Sequence, residues 1–162
     1  MKLPIAVIAL CSLTSIVRAE EVVYVQEIRT SAKPASVWEA LTKPEIVRTY
    51  HMTPLQKIEL KKGGEITYGR GDKVMISGSI TEIEPNMKLA HTFHFGPGKP
   101  PGTEADADTL VTYTIRIEGA ETVLKLTHSG FTERNQTYAN ATGGWPFVLK
   151  KLKLALQAKP AP

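Results

Sequence analysis

The sequence predicts an α+β fold, in which an antiparallel sheet of about seven strands packs against one long C-terminal helix. Apolar and polar residues alternate in consecutive runs over most of residues 55–131, as they do in half-buried strands joined by short turns. Residues 145–157 instead repeat their apolar positions at the helical period. Because a helix with one apolar face must bury it, we expect this helix to lie against the sheet. Two short helices are expected after the first strand.

The first elements are one strand and the two short helices. Residues 22–30 are rich in valine, tyrosine and isoleucine, which favours a strand. Residues 34–41 then change to helical spacing, with Pro34 in the first turn and the apolar side chains on one face. Pro44 ends that helix and begins a second one that extends to Tyr50. Together the two helices are expected to cover one end of the sheet.

The central part of the chain is predicted to form six strands. Turn signals rich in glycine, proline and asparagine separate the alternating runs, at residues 61–64, 69–72, 85–86 and 119–121. Gly78 lies inside the longest run, residues 74–84, and predicts a bulge or bend there. The polar segment 96–108 predicts a loop between two strands.

The C-terminal helix has the clearest pattern in the chain. Trp145, Val148, Leu149 and Leu152 lie on one broad apolar face, and lysines occupy the opposite side. Pro146 suits a first helical turn, where a missing N–H group costs little. The apolar face is expected either to fill the core or to close one side of a cavity.

The N-terminal segment has the pattern of an export signal. Lys2 precedes an apolar run that extends to Val17, and Ala19 provides a small residue before the expected cleavage point. We therefore divide the chain into a signal peptide over residues 1–19, one globular domain over residues 20–158, and a loose tail over residues 159–162. The apolar run is short for a membrane span, so we expect a periplasmic or secreted protein without stable membrane insertion after cleavage.

Composition and charge exclude several classes of function. The chain has 162 residues, 42% of them apolar and 22% charged, which suits a single domain with a real core. Its formal charge of +4 falls to +2 without Lys2 and Arg18, and its basic residues form no run interleaved with aromatic ones, so nucleic acid is not an expected partner. Cys11, the single cysteine, lies in the predicted signal, so the mature domain would have no disulfide, thiol nucleophile or thiolate metal site.

Short segments along the mature chain share their order and spacing with a known family. They are Ser36–Thr42 with Pro44 and Glu45, Gly63–Gly64, Gly78 with Ile80, Glu82, Ile83 and Pro85, Thr127–Phe131, Gly144–Trp145, Leu149 and Leu152. On these residues the chain resembles the START-like superfamily, and within it the branch named for the activator of the heat-shock-protein ATPase. The resemblance implies a helix-grip fold, in which a curved antiparallel sheet wraps round the C-terminal helix and leaves a cavity between them. It implies no particular chemistry, since this fold serves lipid carriers, cyclases, oxygenase subunits and co-chaperones.

The chain departs from the family pattern at two points. Relatives often have paired tryptophans after the second short helix, where this chain has Tyr50, His51 and Met52. Relatives are usually cytosolic, whereas this chain is expected to be exported. Export would separate the protein from a cytosolic chaperone and so argues against a co-chaperone role.

The histidines are the residues most open to a catalytic or metal-binding interpretation. His91 and His94 are three apart on a predicted strand, so their side chains face opposite sides and cannot chelate one metal ion. His128 follows the alternation of the last strand, and burial would keep it neutral near neutral pH. Its neighbour Ser129 faces away, which excludes a nucleophile–base pair. We therefore expect no metal and no cofactor, and we assign no catalytic residue.

The function we expect is the binding of a small hydrophobic or amphipathic ligand, without catalysis, in a cavity between the sheet and the C-terminal helix. The residues expected to contact the ligand are mostly aromatic, aliphatic or sulfur-containing: Tyr50, Met52, Met75, Phe93, Phe95, Tyr113, Ile115, His128, Phe131, Trp145, Val148, Leu149 and Leu152. The border of the cavity is expected to be formed by Phe93, Tyr113, His128, Trp145 and Leu149.

Two alternatives remain on the sequence alone. One is a cyclase- or hydrolase-like enzyme that uses His128 with a tyrosine, and the other is a protein-interaction module that uses the open face of the sheet. The pattern leaves the identity of the ligand and the oligomeric state open.

Overall fold

The structure, a computed structural model, describes residues 21–96 and 109–158. The predicted signal peptide, most of the predicted polar loop and the predicted loose tail lie outside the described residues. Those three expectations therefore stay predictions.

The described chain folds as an α+β domain with seven strands and four helices. In chain order the elements are β1 (Val22–Thr30), α1 (Pro34–Thr42), α2 (Pro44–Tyr50), β2 (Leu55–Ile58), β3 (Glu65–Arg70), β4 (Lys73–Glu84), β5 (Lys88–Phe95), β6 (Thr109–Glu118), β7 (Glu121–Phe131), α3 (Gln136–Thr142) and α4 (Trp145–Gln157). The predicted fold class is confirmed, including the two short helices after the first strand and the long helix at the C-terminal end.

All seven strands belong to one antiparallel sheet, in the order β1-β7-β6-β5-β4-β3-β2. Strands β2 to β7 form a meander, in which each strand pairs with the one before it. The first strand, β1, returns to pair with the last, β7. The inner surface of this curved sheet holds the core, where Val111, Leu124 and Leu126 are completely buried.

The two short helices begin with prolines and are joined by a single residue. Lys43 ends α1 and precedes α2, and its extended backbone turns the chain between them. The Tyr50 hydroxyl at the end of α2 donates a hydrogen bond of 2.8 Å to the carbonyl oxygen of Ala40 in α1. This buried contact fixes the angle between the two helices and therefore the position of the loop that follows α2.

Helix α4 buries the predicted face. Trp145, Val148, Leu149 and Leu152 are all buried, whereas Phe147 on the other side is exposed. The prediction for this helix is confirmed. Its N-terminal turn, at Trp145, is the part that reaches the functional pocket described below.

Helix α3 was not predicted from the sequence. It is short, and polar residues make up most of it. Capping stabilises its start, because the Asn135 side chain accepts a hydrogen bond of 2.9 Å from the Tyr138 N–H group. Thr137 and Ala141 are buried, so docking against the rest of the domain completes the helix. The residues of α3 show no periodic apolar pattern from which the helix could have been predicted.

A bulge or bend was predicted at Gly78, but the irregularity of strand β4 lies elsewhere. Gly78 pairs with Ile66 on β3 within a regular register, and the irregularity between β4 and β5 falls between Ile80 and Glu82. Glycine is needed at residue 78 for a different reason. A Cβ atom there would lie 1.9 Å from the carbonyl oxygen of Thr92 on β5, so the backbone approaches too closely for any side chain.

Candidate functional site

A pocket of about 140 Å³ opens where the loop after α2 meets the sheet and the corner between α3 and α4. Three parts of the chain form its wall: the loop residues His51, Met52 and Thr53, the strand residues Ile76, Phe93 and Phe95, and the helical corner of Asn140, Ala141, Gly144, Trp145 and Val148. None of these described residues carries a full charge at neutral pH, since the one titratable group among them, His51, has its pKa lowered to about 4. The wall is therefore suited to a neutral molecule.

The structure brings five of the predicted ligand contacts to this pocket: Met52, Phe93, Phe95, Trp145 and Val148. Seven others are buried in the core: Tyr50, Tyr113, Ile115, His128, Phe131, Leu149 and Leu152. Met75 lies neither in the described pocket wall nor in the core, because 47% of its surface is exposed.

Of the residues predicted to border the cavity, Phe93 and Trp145 line this pocket, whereas Tyr113, His128 and Leu149 lie in the core beside it. The reason is that the Trp145 ring fills the space at the centre of the domain. Its centroid lies 6.0 Å from that of His128 and 6.5 Å from that of Tyr113, both in edge-on contacts. Leu149, one turn further along α4, is only 1% exposed. Among the described residues, the helix thus packs closely at Leu149 and borders a vacancy towards its N-terminal end.

Met75 and Ile76 are neighbours on β4, and their side chains lie on opposite faces of the sheet. Successive side chains of a strand point to opposite sides, so only one of the two can face the pocket. Ile76 lines the pocket, and Met75 points outward. Ile80, four residues after Ile76, is 1% exposed, and this alternation was the signal that could have identified Ile76.

Aromatic rings make the pocket wall apolar. Phe93 and Phe95 meet edge to face with a centroid distance of 5.2 Å, and Trp145 lies across from the strands on α4. Met52 covers the N-terminal end of α4, since a Cβ atom on Gly144 would lie 2.5 Å from the Met52 terminal methyl carbon. Met52 is 46% exposed, so its flexible side chain stands at the mouth of the pocket.

His51 is the imidazole on the pocket wall. Its Nδ1 atom lies 2.6 Å from the carbonyl oxygen of Thr53, a distance that requires a hydrogen on Nδ1 to avoid opposing lone pairs. The Thr53 N–H group also points at this nitrogen, at 3.1 Å, and would donate to it in the other tautomer. The shorter contact to the carbonyl oxygen, at 2.6 Å, favours the tautomer with the hydrogen on Nδ1. The ring is stacked on Tyr68 at 5.1 Å. Burial lowers the pKa of His51 to about 4, so the ring is neutral at physiological pH and its Nε2 atom is a bare acceptor.

His128 is completely buried and fully hydrogen-bonded. The Trp145 Nε1–H group donates to its Nδ1 atom at 3.1 Å, which leaves the hydrogen on Nε2. Nε2–H then donates to the Thr109 hydroxyl at 3.0 Å, and that hydroxyl donates to the carbonyl oxygen of Phe93, also at 3.0 Å. Burial lowers the pKa of His128 to about 3. This chain ties α4 to strands β5, β6 and β7.

The same hydrogen bonds decide what His128 can do chemically. A general base needs a free lone pair within reach of a substrate. The lone pair on Nδ1 is taken by Trp145, and the ring has no exposed surface. The enzyme alternative, which relied on His128 as a base, therefore has no support from this geometry.

His91 is the second completely enclosed histidine, with 1% exposure. Its Nδ1–H group donates to the carbonyl oxygen of Thr92 at 2.8 Å, and its Nε2 atom is buried without a protein partner. The rings of Tyr68 and Tyr113 lie on either side at 6.3 Å. Burial lowers the pKa of His91 to about 4, so it is neutral as well.

Within the described ranges, no group of three histidine, cysteine or carboxylate side chains is placed to hold a metal ion. Among the same residues no helix is long and apolar enough to cross a bilayer. The described wall of the site contains three aromatic rings, aliphatic and thioether side chains, one imidazole, one hydroxyl and one amide.

The family model described as "Activator of Hsp90 ATPase homolog 1-like protein" matches residues 31–157. Protein MLL2253 from Mesorhizobium loti is 26% identical, with a TM-score of 0.69 over 83% of this chain and 96% of that chain. CalU16 from Micromonospora echinospora is also 26% identical, with a TM-score of 0.65 over 83% and 75%. The Aha1 dimer from Colwellia psychrerythraea shares the fold at 19% identity, with a TM-score of 0.69 over 86% and 99%. No curated protein matches the chain.

Proposed function

Because the chain belongs to the family of Activator of Hsp90 ATPase homolog 1-like proteins, with its START-like fold, we propose that it is a binding domain for a small, neutral, hydrophobic ligand. The ligand would occupy the pocket beside Phe93, Phe95 and Trp145. The observation that carries this proposal is an apolar pocket between the sheet and the start of α4, next to the hydrophobic core. His128 has no catalytic role in this proposal, because Trp145 occupies the lone pair on its Nδ1 atom.

The volume of the pocket limits the size of the ligand. Sites for drug-sized molecules usually measure roughly 300–1,000 Å³, whereas this pocket measures about 140 Å³. An apolar cavity of roughly 150 Å³ is large enough to bind benzene. A molecule with about one aromatic ring is therefore the size that the described walls accept, and a long lipid chain is not.

Toluene binding tests the proposal directly. Trp145 lies in the wall, so its fluorescence should report occupancy once Trp38, the other tryptophan, is replaced in a Trp38→Phe background. We expect a saturable change in Trp145 emission as toluene is added. Ala141→Leu places a larger side chain into the pocket and should abolish that change.

Ala155→Leu is the matched control for the pocket-filling variant. It makes the same substitution on α4, at a half-buried residue that does not line the pocket, and should leave toluene binding intact. A titration that never saturates, or one that Ala141→Leu and Ala155→Leu alter equally, would contradict ligand binding at this site.

We also propose that the protein is exported and that cleavage follows Ala19, leaving Glu20 at the N-terminus. The charged start, the short apolar run and the small residue at the cleavage point support this proposal. The intact mass of the protein recovered from outside the cytoplasm tests it. A mass that still includes Met1 would show that the segment is retained.

A further inference from the structure

We infer that the pocket selects a single-ring aromatic molecule that carries a hydroxyl or N–H group, and that Nε2 of His51 accepts the hydrogen bond from that group. This inference rests on the proposed function and names the chemical class of its ligand. Phenol is the simplest member of the class.

The first step is that His51 offers an acceptor and not a donor. Its Nδ1–H group is held by the carbonyl oxygen of Thr53 at 2.6 Å, which leaves Nε2 without a hydrogen. Nε2 has no hydrogen-bond partner among the described residues. Two side-chain atoms of those residues are both fully buried and without a partner, Thr81 Oγ1 and His91 Nε2, and Nε2 of His51 is not among them. It is therefore reachable from solvent, and the ring that carries it lies in the pocket wall.

The second step is that the other polar groups of the wall are mostly occupied. The Nε1–H group of Trp145 is used by His128. The Oδ1 atom of Asn140 accepts a hydrogen bond of 2.9 Å from the Gln136 side chain. The Thr53 hydroxyl remains, but a hydroxyl rotates to donate or accept and so does not select a donor. The amide nitrogen of Asn140 can only donate, so Nε2 of His51 is the side-chain group of the described wall whose role as an acceptor is fixed.

The third step is the effect on ligand choice. A hydroxyl that leaves water for an apolar pocket without a partner is strongly disfavoured, whereas a ligand of equal size without a polar group suffers no such loss. An acceptor aligned with the hydroxyl offsets this loss. Since a hydrogen bond contributes roughly 0.5–1.5 kcal/mol net, loss of the acceptor should weaken a phenol by several-fold to about tenfold. A toluene-sized ligand should not respond.

The experiment compares phenol with toluene, two one-ring ligands that differ by a hydroxyl against a methyl group. Dissociation constants are measured by Trp145 fluorescence in the Trp38→Phe background, for the wild-type pocket, for His51→Phe and for Thr53→Val. The phenylalanine keeps a ring stacked on Tyr68 and removes Nε2. The valine keeps the shape of the threonine and removes its hydroxyl.

We expect His51→Phe to weaken phenol several-fold to about tenfold while toluene changes less than twofold. We expect Thr53→Val, in the same wall, to preserve the ratio of the phenol and toluene affinities. If toluene binds but phenol does not, or if both ligands weaken equally in His51→Phe, the inference is overturned and the proposed function stands. If Thr53→Val weakens phenol and His51→Phe does not, the Thr53 hydroxyl recognises phenol and the inference is wrong. If neither ligand binds the wild-type protein, the proposed function itself fails.

A nitrogen NMR measurement on the unmutated pocket covers the case in which His51→Phe fails to fold. On addition of phenol, the Nε2 resonance of His51 should move in the direction expected of an imidazole nitrogen that accepts a hydrogen bond. The Nε2 resonance of His91, which is enclosed and outside the lining, provides an internal reference and should stay in place. Phenol binding without a shift at His51 would overturn the inference.

Discussion

Acidification should destabilise this protein between about pH 7 and about pH 5, because buried histidines are held neutral in the folded state. His91 and His128 are completely enclosed and neutral, with pKa values lowered by burial to about 4 and about 3. In the unfolded chain each would titrate near the usual histidine pKa of roughly 6.5. Between these limits the unfolded chain binds two more protons than the folded one, so protons favour unfolding.

The direction and the size of the change in unfolding free energy follow from this difference in bound protons. The stability is complete above a pH of about 6.5 and is lost progressively as the pH falls from there towards the folded pKa values. From about pH 7 to about pH 5, each histidine should remove roughly 2 kcal/mol of unfolding free energy, and the pair roughly 4 kcal/mol. A domain of this kind has about 5–15 kcal/mol in total, so the loss is easily measured. His51, whose pKa is also lowered by burial, should add to it in the same direction.

Two ion-paired carboxylates, Glu118 and Glu59, do not produce the same effect between about pH 7 and about pH 5. The pKa of Glu118 is lowered by hydrogen bonds from Arg116 and Arg29, and the pKa of Glu59 is lowered by Lys57. Their protonation therefore begins at lower pH than the histidine transition. All of these side chains are also partly exposed, so their ion pairs are weak contributors.

Urea denaturation at several pH values between about 7.5 and 5 measures the slope of stability against pH. His128→Gln keeps an acceptor for Trp145 but cannot be protonated, so it should reduce the slope by about one proton. Val111→Ala, a completely buried residue on β6, is the matched control: it should lower stability by a similar amount at every pH and leave the slope unchanged. A wild-type stability that stays constant from about pH 7 to about pH 5 would refute the reasoning.

Three substitutions test the packing, each measured by urea denaturation at neutral pH. Trp145→Ala should cost about 3–5 kcal/mol, as large aromatic truncations in cores do, and a loss below about 1 kcal/mol would mean that the ring does not hold the centre of the core. Leu149→Phe should cost about 1–3 kcal/mol, because the site is packed; little or no cost would indicate a void there. Gly78→Ala should cost more than about 1 kcal/mol, because its Cβ would overlap the Thr92 carbonyl oxygen. Phe147→Ala, at an exposed residue, should stay within about 0.5 kcal/mol in the same assay.

The fold was predictable because its elements repeat a simple pattern. Val111, Tyr113 and Ile115 alternate with polar residues on β6, and all three are buried in the structure. Trp145 and Leu149 lie on one helical face and are buried as that spacing requires. In each case the period of the pattern determines which side of the element faces the core, and no information from distant residues is needed.

The pocket was only partly predictable because half of its wall has no period. His51 and Thr53 lie in a loop, and Asn140 and Ala141 lie on a helix that depends on a cap and on docking. On β4, the prediction chose Met75 for its sulfur-containing side chain, but its neighbour Ile76 is the residue that lines the pocket. The sequence pattern shows that a face is apolar, but it does not show where two apolar faces stop touching.

The position of the vacancy depends on how the Trp145 indole is held. Its Nε1–H group is bonded to His128, which is bonded through Thr109 to the backbone of Phe93, so the ring cannot swing towards the α2–β2 loop without leaving buried polar groups unpaired. Trp145 therefore both packs in the core and contributes to the pocket wall. His128, which first suggested catalysis, serves instead to keep this wall in place. Chemical selectivity then falls to His51, the imidazole that has a nitrogen left open.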